Sequence, residues 1–205
     1  YDLLAKDKGS FRAYQMMAGE LDAEGNIEMA FAMAEKAVRL MPDCSVLSDM
    51  AAARMQQEQA EIAEAYLSLG YEICEATLPE TAREFRKYCV GLATIARQQG
   101  QSAQVRRYCE KALTTPEAET DRPDPQVAVN VRLMLAEYWQ QQGDLEQADR
   151  LAGDAMAVAR EIEQSAGTLV LTSALVRVKI MNEKGQASAA FDLGQKVILE
   201  SKASR

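Results

Sequence analysis

The sequence predicts an all-α protein, an α–α superhelix of about five stacked helix pairs and about ten helices. Three observations predict it. The strong helix formers Ala, Glu, Gln, Leu and Met dominate the 205 residues, of which only five are Pro. No Val/Ile/Thr alternation is closed by Asn-Gly or Asp-Gly, and the nearest strand candidate, Thr168 to Ile180, also fits a helical period. One plan then recurs five times: an amphipathic run, a polar break, and a second run built on small residues.

Aligned on the break, the copies centre on Gly25, Glu58, Gly100, Gly143 and Gly185, at intervals of 33, 42, 43 and 42. The first pair is expected at 11–23 and 27–40, with Gly25 ending one helix in the left-handed region and Asn26 capping the next. Met41-Pro42-Asp43 then punctuates the chain. The second pair is expected at 45–57 and 60–76, and its break, Glu58-Gln59, lacks glycine. Thr77-Leu78-Pro79-Glu80 has capping-box spacing and opens the third pair, at 79–98 and 102–114. The segment from Thr114 to Pro125 holds three prolines and is the longest loop; Asp124 caps the fourth pair and Pro125 takes its first turn, at 125–142 and 145–164, with Asp144 capping the second of the two. The fifth pair is expected at 167–184 and 187–201. Small residues seven apart, Ala30 with Ala37, Ala63 with Gly70, Val105 with Ala112, Ala148 with Ala155, and Ala190 with the larger Val197, mark where each second helix approaches a neighbour. The repeats therefore run 11–43, 44–77, 78–116, 123–164 and 167–201, within a single repeat domain covering 1–205. Asp2-Leu3-Leu4-Ala5-Lys6 reads as the end of a helix begun upstream, so the chain is expected to be a fragment of a longer protein.

Acidic residues outnumber basic ones 31 to 23, a formal charge of −8, which argues against direct nucleic-acid binding. No apolar run approaches membrane-spanning length and no signal-peptide pattern opens the chain, so a soluble, cytoplasmic protein without membrane contact is expected. Cys44, Cys74, Cys89 and Cys109 are widely spaced and no histidine is present, which makes them small buried hydrophobes of a reducing compartment before disulfide or metal sites. Seven methionines, Met16, Met17, Met29, Met33, Met41, Met50 and Met55, crowd the first two copies; their helical spacing suits core filling, and an adaptable binding surface is the alternative.

These residues resemble tetratricopeptide (TPR) repeats. The resemblance rests on Met17-Ala18, Gly25, Ala30, Ala37 and Pro42, on Leu135-Ala136, Trp139, Gly143, Ala148 and Ala155, and on Leu92-Ala93, Gly100 and Ala112; copies two and five match weakly. Intervals near 42 exceed the family's usual repeat of about 34 residues and look like the longer-helix branch of kinesin light chains and bacterial activator sensor domains. The resemblance implies a right-handed solenoid whose concave wall is lined by first helices, and a role in binding protein partners.

Projected onto that wall, the candidate partner-binding groove is Arg12, Gln15, Lys87, Thr94, Arg97, Gln98, Asn130, Glu137, Gln140, Gln141, Lys179 and Asn182, with Ser48, Met55 and Glu183 beside them. It is amide-rich, which suits the backbone of an extended peptide. Residues 82–111 carry seven basic side chains against Glu84 and Glu110, a local charge of +5 that leaves −13 elsewhere. Two readings stay open, a dock for an acidic peptide or a solvated helix face with intrachain pairs at Glu84. Tyr88 and Tyr108 in this island read as inter-helix packing.

Without histidine, and with no phosphate-binding glycine loop, the chain offers no catalytic set and no cofactor site, and its paired carboxylates sit at capping or solvent positions. The leading expectation is a protein-interaction scaffold binding a peptide or helix of a partner. The alternative is a regulatory sensor segment of a larger bacterial signalling or transcription-regulator protein, binding a small molecule or oligomerising to control an output module. Phe191, Leu193, Val197, Ile198 and Leu199 on the last predicted helix, with no further predicted helix to cover them, call for either a missing segment or a partner, and a homodimer through the C-terminal helix pair is the second of these.

Overall fold

The computed structural model describes residues 8–42, 45–78, 81–115, 124–162 and 167–203. Among them are ten helices and no strand: α1 (Lys8–Ala23), α2 (Ile27–Leu40), α3 (Val46–Gln56), α4 (Ala60–Glu75), α5 (Ala82–Gln98), α6 (Ser102–Thr114), α7 (Pro125–Gln141), α8 (Leu145–Ile162), α9 (Thr168–Glu183) and α10 (Ala187–Ala203). The helical reading of Thr168 to Ile180 is the observed one. Residues 2–6, Asp43, Cys44, Pro79, Glu80 and the prolines between Thr115 and Asp124 lie outside the described residues.

The breaks within pairs share one geometry. Gly25, Gly100, Gly143 and Gly185 have φ of +72° to +81°, the left-handed region in which a glycine meets no Cβ clash. The N–H of the residue that follows donates back to the helix: Asn26 to Leu21 O at 2.8 Å, Asp144 to Trp139 O at 3.0 Å, Gln186 to Met181 O at 2.9 Å. Copy two keeps the motif without the glycine. Glu58 takes φ +61° and the Gln59 N–H reaches Arg54 O at 2.9 Å.

Capping is less uniform than the sequence suggests. Asp124 caps α7 through Gln126 N–H (3.0 Å) and Val127 N–H (3.4 Å), and Asp144 accepts from Gln147 N–H at 3.0 Å. Asn26 does not cap α2: its side chain makes no capping bond and its Nδ2 donates to Met29 Sδ at 3.3 Å. Thr77 does not open α5 either. Its hydroxyl turns back to Ile73 O and Cys74 O at the end of α4, and α5 starts after Thr81, whose own hydroxyl donates to Cys74 O at 2.7 Å.

The chain divides into two compact units, one of Tyr1–Gln99 with Thr114–Arg122 and the other of Gly100–Leu113 with Pro123–Arg205. In the first, α1 packs on α2, α3 on α4 and α4 on α5; α1, α3 and α5 also touch in sequence, as do α2 and α4, so first helices form one layer and second helices another. Its core holds Leu47, Tyr66, Leu67, Phe85, Tyr88 and Leu92, with Phe31 stacked on Tyr66 at 5.5 Å and Tyr71 against Phe85 at 4.7 Å between centroids. In the second unit α7 packs on α8, α8 on α9 and α9 on α10, with α7 beside α9. Val129, Leu133, Ala155, Met156, Ala159, Val170, Ala174 and Val197 form its core.

Small residues do what their spacing predicts. Ala30, Ala37, Ala63, Ala148 and Ala155 are fully buried, and a Cβ on Gly70 would collide with the Tyr88 ring. The methionines divide. Met50 is buried, but Met16, Met17 and Met29 are exposed, Met16 at 67%. On α10, Val197 is buried and Leu193 half-buried, while Phe191, Ile198 and Leu199 are exposed.

Candidate functional site

Each unit presents its own outer face of first helices. In the first unit the open side of α5 is set by the i, i+4, i+7, i+11 series Arg83, Lys87, Val90 and Thr94, continued by Arg97 and Gln98. Arg83, Arg97 and Gln98 are exposed and the other three half-buried. Lys87 Nζ donates to Glu84 Oε1 at 2.7 Å, and the Thr94 hydroxyl turns back to Val90 O at 2.8 Å. On α1, Arg12 is exposed and Gln15 half-buried; on α3, Ser48 donates to Ser45 O at 2.8 Å.

In the second unit Asn130, Glu137 and Gln141 share one face of α7, half-buried except for the exposed Gln141. Gln140 points elsewhere. Its Nε2 donates to Glu183 Oε1 at 2.6 Å and ties the end of α7 to the end of α9. Lys179 and Asn182 are exposed on α9 one and two turns beyond Leu175, which is 71% exposed, with the exposed Leu171 one turn before it. The wall is thus not purely polar. A two-leucine apolar step sits among amides and charges.

The basic residues of 82–111 are divided between the two units. Arg83, Arg86, Lys87 and Arg97 belong to the first unit and Arg106, Arg107 and Lys111 to the second. Arg86 is buried and donates to Thr115 O at 3.0 Å. Arg106 pairs with Glu110 at 2.7 Å and lies over the Trp139 ring at 5.1 Å, where the hydrogen bond to Glu110, then that to Tyr138, raises its pKa. Tyr88 is buried, as packing requires.

Two polar clusters escape sequence reading altogether. In the first unit Arg54, buried in α3, donates from Nε to Asp22 Oδ1 (3.0 Å), from Nη2 to Asp22 O, and from Nη1 to Gln57 Oε1 (2.9 Å) and Gln59 Oε1 (2.7 Å). The Tyr66 hydroxyl donates to the same Asp22 Oδ1 at 2.9 Å. Burial, then the bond and proximity to the Asp22 carboxylate, push the Tyr66 pKa above the ordinary phenol range. A signal existed: Leu47, Met50, Ala51 and Arg54 share one stripe, and a lone charge in an apolar stripe demands a buried partner. In the second unit Asp149 accepts from Arg177 Nε (2.9 Å) and Lys184 Nζ (3.1 Å), and Lys184 also reaches Glu146 at 2.9 Å. Burial of Asp149 opposes its charged form, but the bonds from Arg177 and Lys184 outweigh it and hold the carboxyl below its usual value.

Cys74, Cys89 and Cys109 are buried thiols. Among the described residues no group of three or more His, Cys, Asp or Glu could hold a metal ion, and no helix is long and apolar enough to cross a membrane.

No protein-family profile and no curated protein matches the sequence. The fold does find a match among solved structures. A putative kinesin light chain of Podosopora anserina, described as nearly identical TPR-like repeats, is 19% identical to this chain; the superposition covers 98% of this chain and 99% of that one with a TM-score of 0.63. The chain has the all-α TPR-like repeat fold.

Proposed function

We propose that this chain is a non-catalytic interaction scaffold that takes an extended peptide or a helix of a protein partner on its first-helix faces. The observation that carries the reading is the α9 face, where the 71% exposed Leu175 shares a face with Lys179 and Asn182 on a helix that buries Val170, Ser173, Ala174 and Ile180. Large apolar side chains surrounded by polar ones are how partner sites present themselves. The amides and charges at Asn130, Glu137 and Gln141 on α7 supply backbone-directed hydrogen bonding. On α5, Arg83 and Arg97 with Thr94 and Gln98 favour an acidic segment of the partner. Three buried thiols suit a reducing cytoplasm.

Capture of partners from native lysate by the wild-type chain, compared with Leu175→Glu/Lys179→Glu and with Arg83→Glu/Arg97→Glu, tests the reading. All four positions of change are solvent-exposed, so melting temperatures stay within about 2 °C of wild type, each kcal/mol of stability being worth about 2–4 °C at this size. Loss of the same captured proteins from either variant supports the faces as binding sites. Identical capture by all three chains refutes them.

A further inference from the structure

Two rows of side chains on the first helix pair form a flexible apolar face edged by unpaired carboxylates. On α1, Tyr14, Met17 and Leu21 follow one row at i, i+3 and i+7; on α2, Met29, Met33 and Lys36 follow another at i, i+4 and i+7. Met17 is 46% and Met29 49% exposed, and Tyr14, Leu21 and Met33 are half-buried. The rows adjoin, because α1 packs on α2 and Lys36 Nζ lies over the Tyr14 ring at 5.6 Å. One turn nearer the Gly25 break, the same antiparallel pairing brings Met17 level with Met33.

Neither row faces the next pair. At about 100° per residue, Asp22, which bonds to Arg54 and Tyr66, lies about 140° around α1 from Met17, and Phe31, stacked on Tyr66, lies about 160° around α2 from Met33. Arg12 and Gln15 are on the far side of α1 as well, so this face is distinct from the first-helix faces. Glu20 and Glu24 edge it, three and seven residues after Met17; the Glu24 N–H donates to Glu20 O at 3.0 Å, so the helical spacing holds that far. Both are exposed, and neither side chain takes part in a hydrogen bond or ion pair among the described residues. Lys36 sits on its ring about 10 Å down the hairpin from Met29, which leaves negative charge at the end nearest the break.

We propose that this face binds a basic amphipathic helix of a partner, whose apolar stripe lies across Met17, Met29 and Met33 and whose Lys or Arg side chains meet Glu20 and Glu24. Unbranched thioethers adapt to apolar side chains of different shape, and an amphipathic helix recognised by one stripe is a recurrent mode of peptide binding. An anionic lipid surface would be repelled by the same two carboxylates.

Fluorescence anisotropy with the full chain and a labelled amphipathic Leu/Lys peptide of about 18 residues, long enough to hold a helix, tests the proposal in about 0.15 M salt, where distant charges are screened. The wild type binds it saturably and does not bind a peptide of the same composition scrambled out of helical period. Met17→Gln/Met29→Gln and Glu20→Lys/Glu24→Lys each weaken binding by at least about 10-fold. Glu61→Lys/Glu72→Lys, the same change of charge at exposed positions of α4, changes it by less than about 3-fold. Circular dichroism melts of each variant confirm that a folded chain is being compared. Equal binding of the scrambled peptide, an equal loss from the α4 swap, or indifference to Met17→Gln/Met29→Gln overturns the proposal. So does a wild type that binds no peptide: binding that appears only with Leu3→Glu/Leu4→Glu assigns the face to the chain's own residues 1–7, and self-association in sedimentation velocity that Met17→Gln/Met29→Gln abolishes assigns it to a second copy.

Discussion

Glu58→Gly is the substitution that isolates backbone conformation most cleanly in this fold. Glu58 is a non-glycine residue in the left-handed region, at φ +61°, in the place that glycine fills in the other four breaks. Its side chain is exposed and takes part in no hydrogen bond or ion pair among the described residues, so replacing it removes no such bond. An L-residue in this conformation costs about 1–2 kcal/mol, and glycine releases that cost while giving back about 0.4–1 kcal/mol through the greater freedom of the unfolded chain. The net is a stabilisation of about 0.5–1 kcal/mol, which for a chain of this size raises Tm by about 1–4 °C. The reverse change is available at Gly143, at φ +81° with no atom within 4 Å of a built Cβ. Gly143→Ala therefore meets no steric neighbour and should lose a similar amount through backbone strain alone. Thermal melts followed at 222 nm, with urea titrations to check that the unfolding slope is unchanged, read both variants. If Glu58→Gly lowers Tm, or Gly143→Ala raises it, the breaks are not governed by left-handed strain and the reasoning fails.

Other outcomes follow from particular contacts. Tyr66→Phe deletes the bond to Asp22 and should cost about 1 kcal/mol at neutral pH; because the folded pKa of Tyr66 lies above its unfolded value of about 10, its contribution is complete below that pH and fades above it, so urea melts of the two proteins should converge as pH rises past 10. Asp149 has the opposite sign: its folded pKa is depressed, so its contribution is present above about pH 4 and lost as pH falls through the folded value, and Asp149→Asn should lower Tm at pH 7 while matching wild type in acid. Gly70→Ala drives a methyl into the Tyr88 ring and should cost about 1–3 kcal/mol by overpacking. Gly91→Ala should cost less, since the atoms it meets, at 2.8 Å, are the movable methyl ends of Leu67.

What the sequence made legible was local. Helix count and most boundaries follow from breaks three or four residues long, and α2 and α6 begin and end where the pattern places them, because a left-handed glycine and the small-residue stripe act within one helix pair. What escaped depends on distant partners. Arg54 and Asp22 lie 32 residues apart and Gln140 and Glu183 43 apart, and no periodicity reports which surfaces meet. The exposure of Met16, Met17, Met29 and Leu175 escaped for a related reason: an apolar residue at helical spacing fits a core position or an outward face equally well until the neighbouring helices are placed. Asn26 shows the limit of capping rules, since a residue of the right type was drawn to the Met29 sulfur instead.

Repeat arrays are commonly treated as chains of units whose stabilities add between nearest neighbours, and the Arg54 cluster makes the start of this one an exception. Its guanidinium is held by the last turn of α1 on one side and by the α3–α4 break on the other, with Tyr66 of α4 sharing the same carboxylate. Opening the first helix pair alone would strand that buried cation, at about 3–5 kcal/mol. Helices α1 to α4 should accordingly open as a single foldon, and amide hydrogens on α1 near Asp22 should exchange no faster than those on α4, although α1 stands first in the stack.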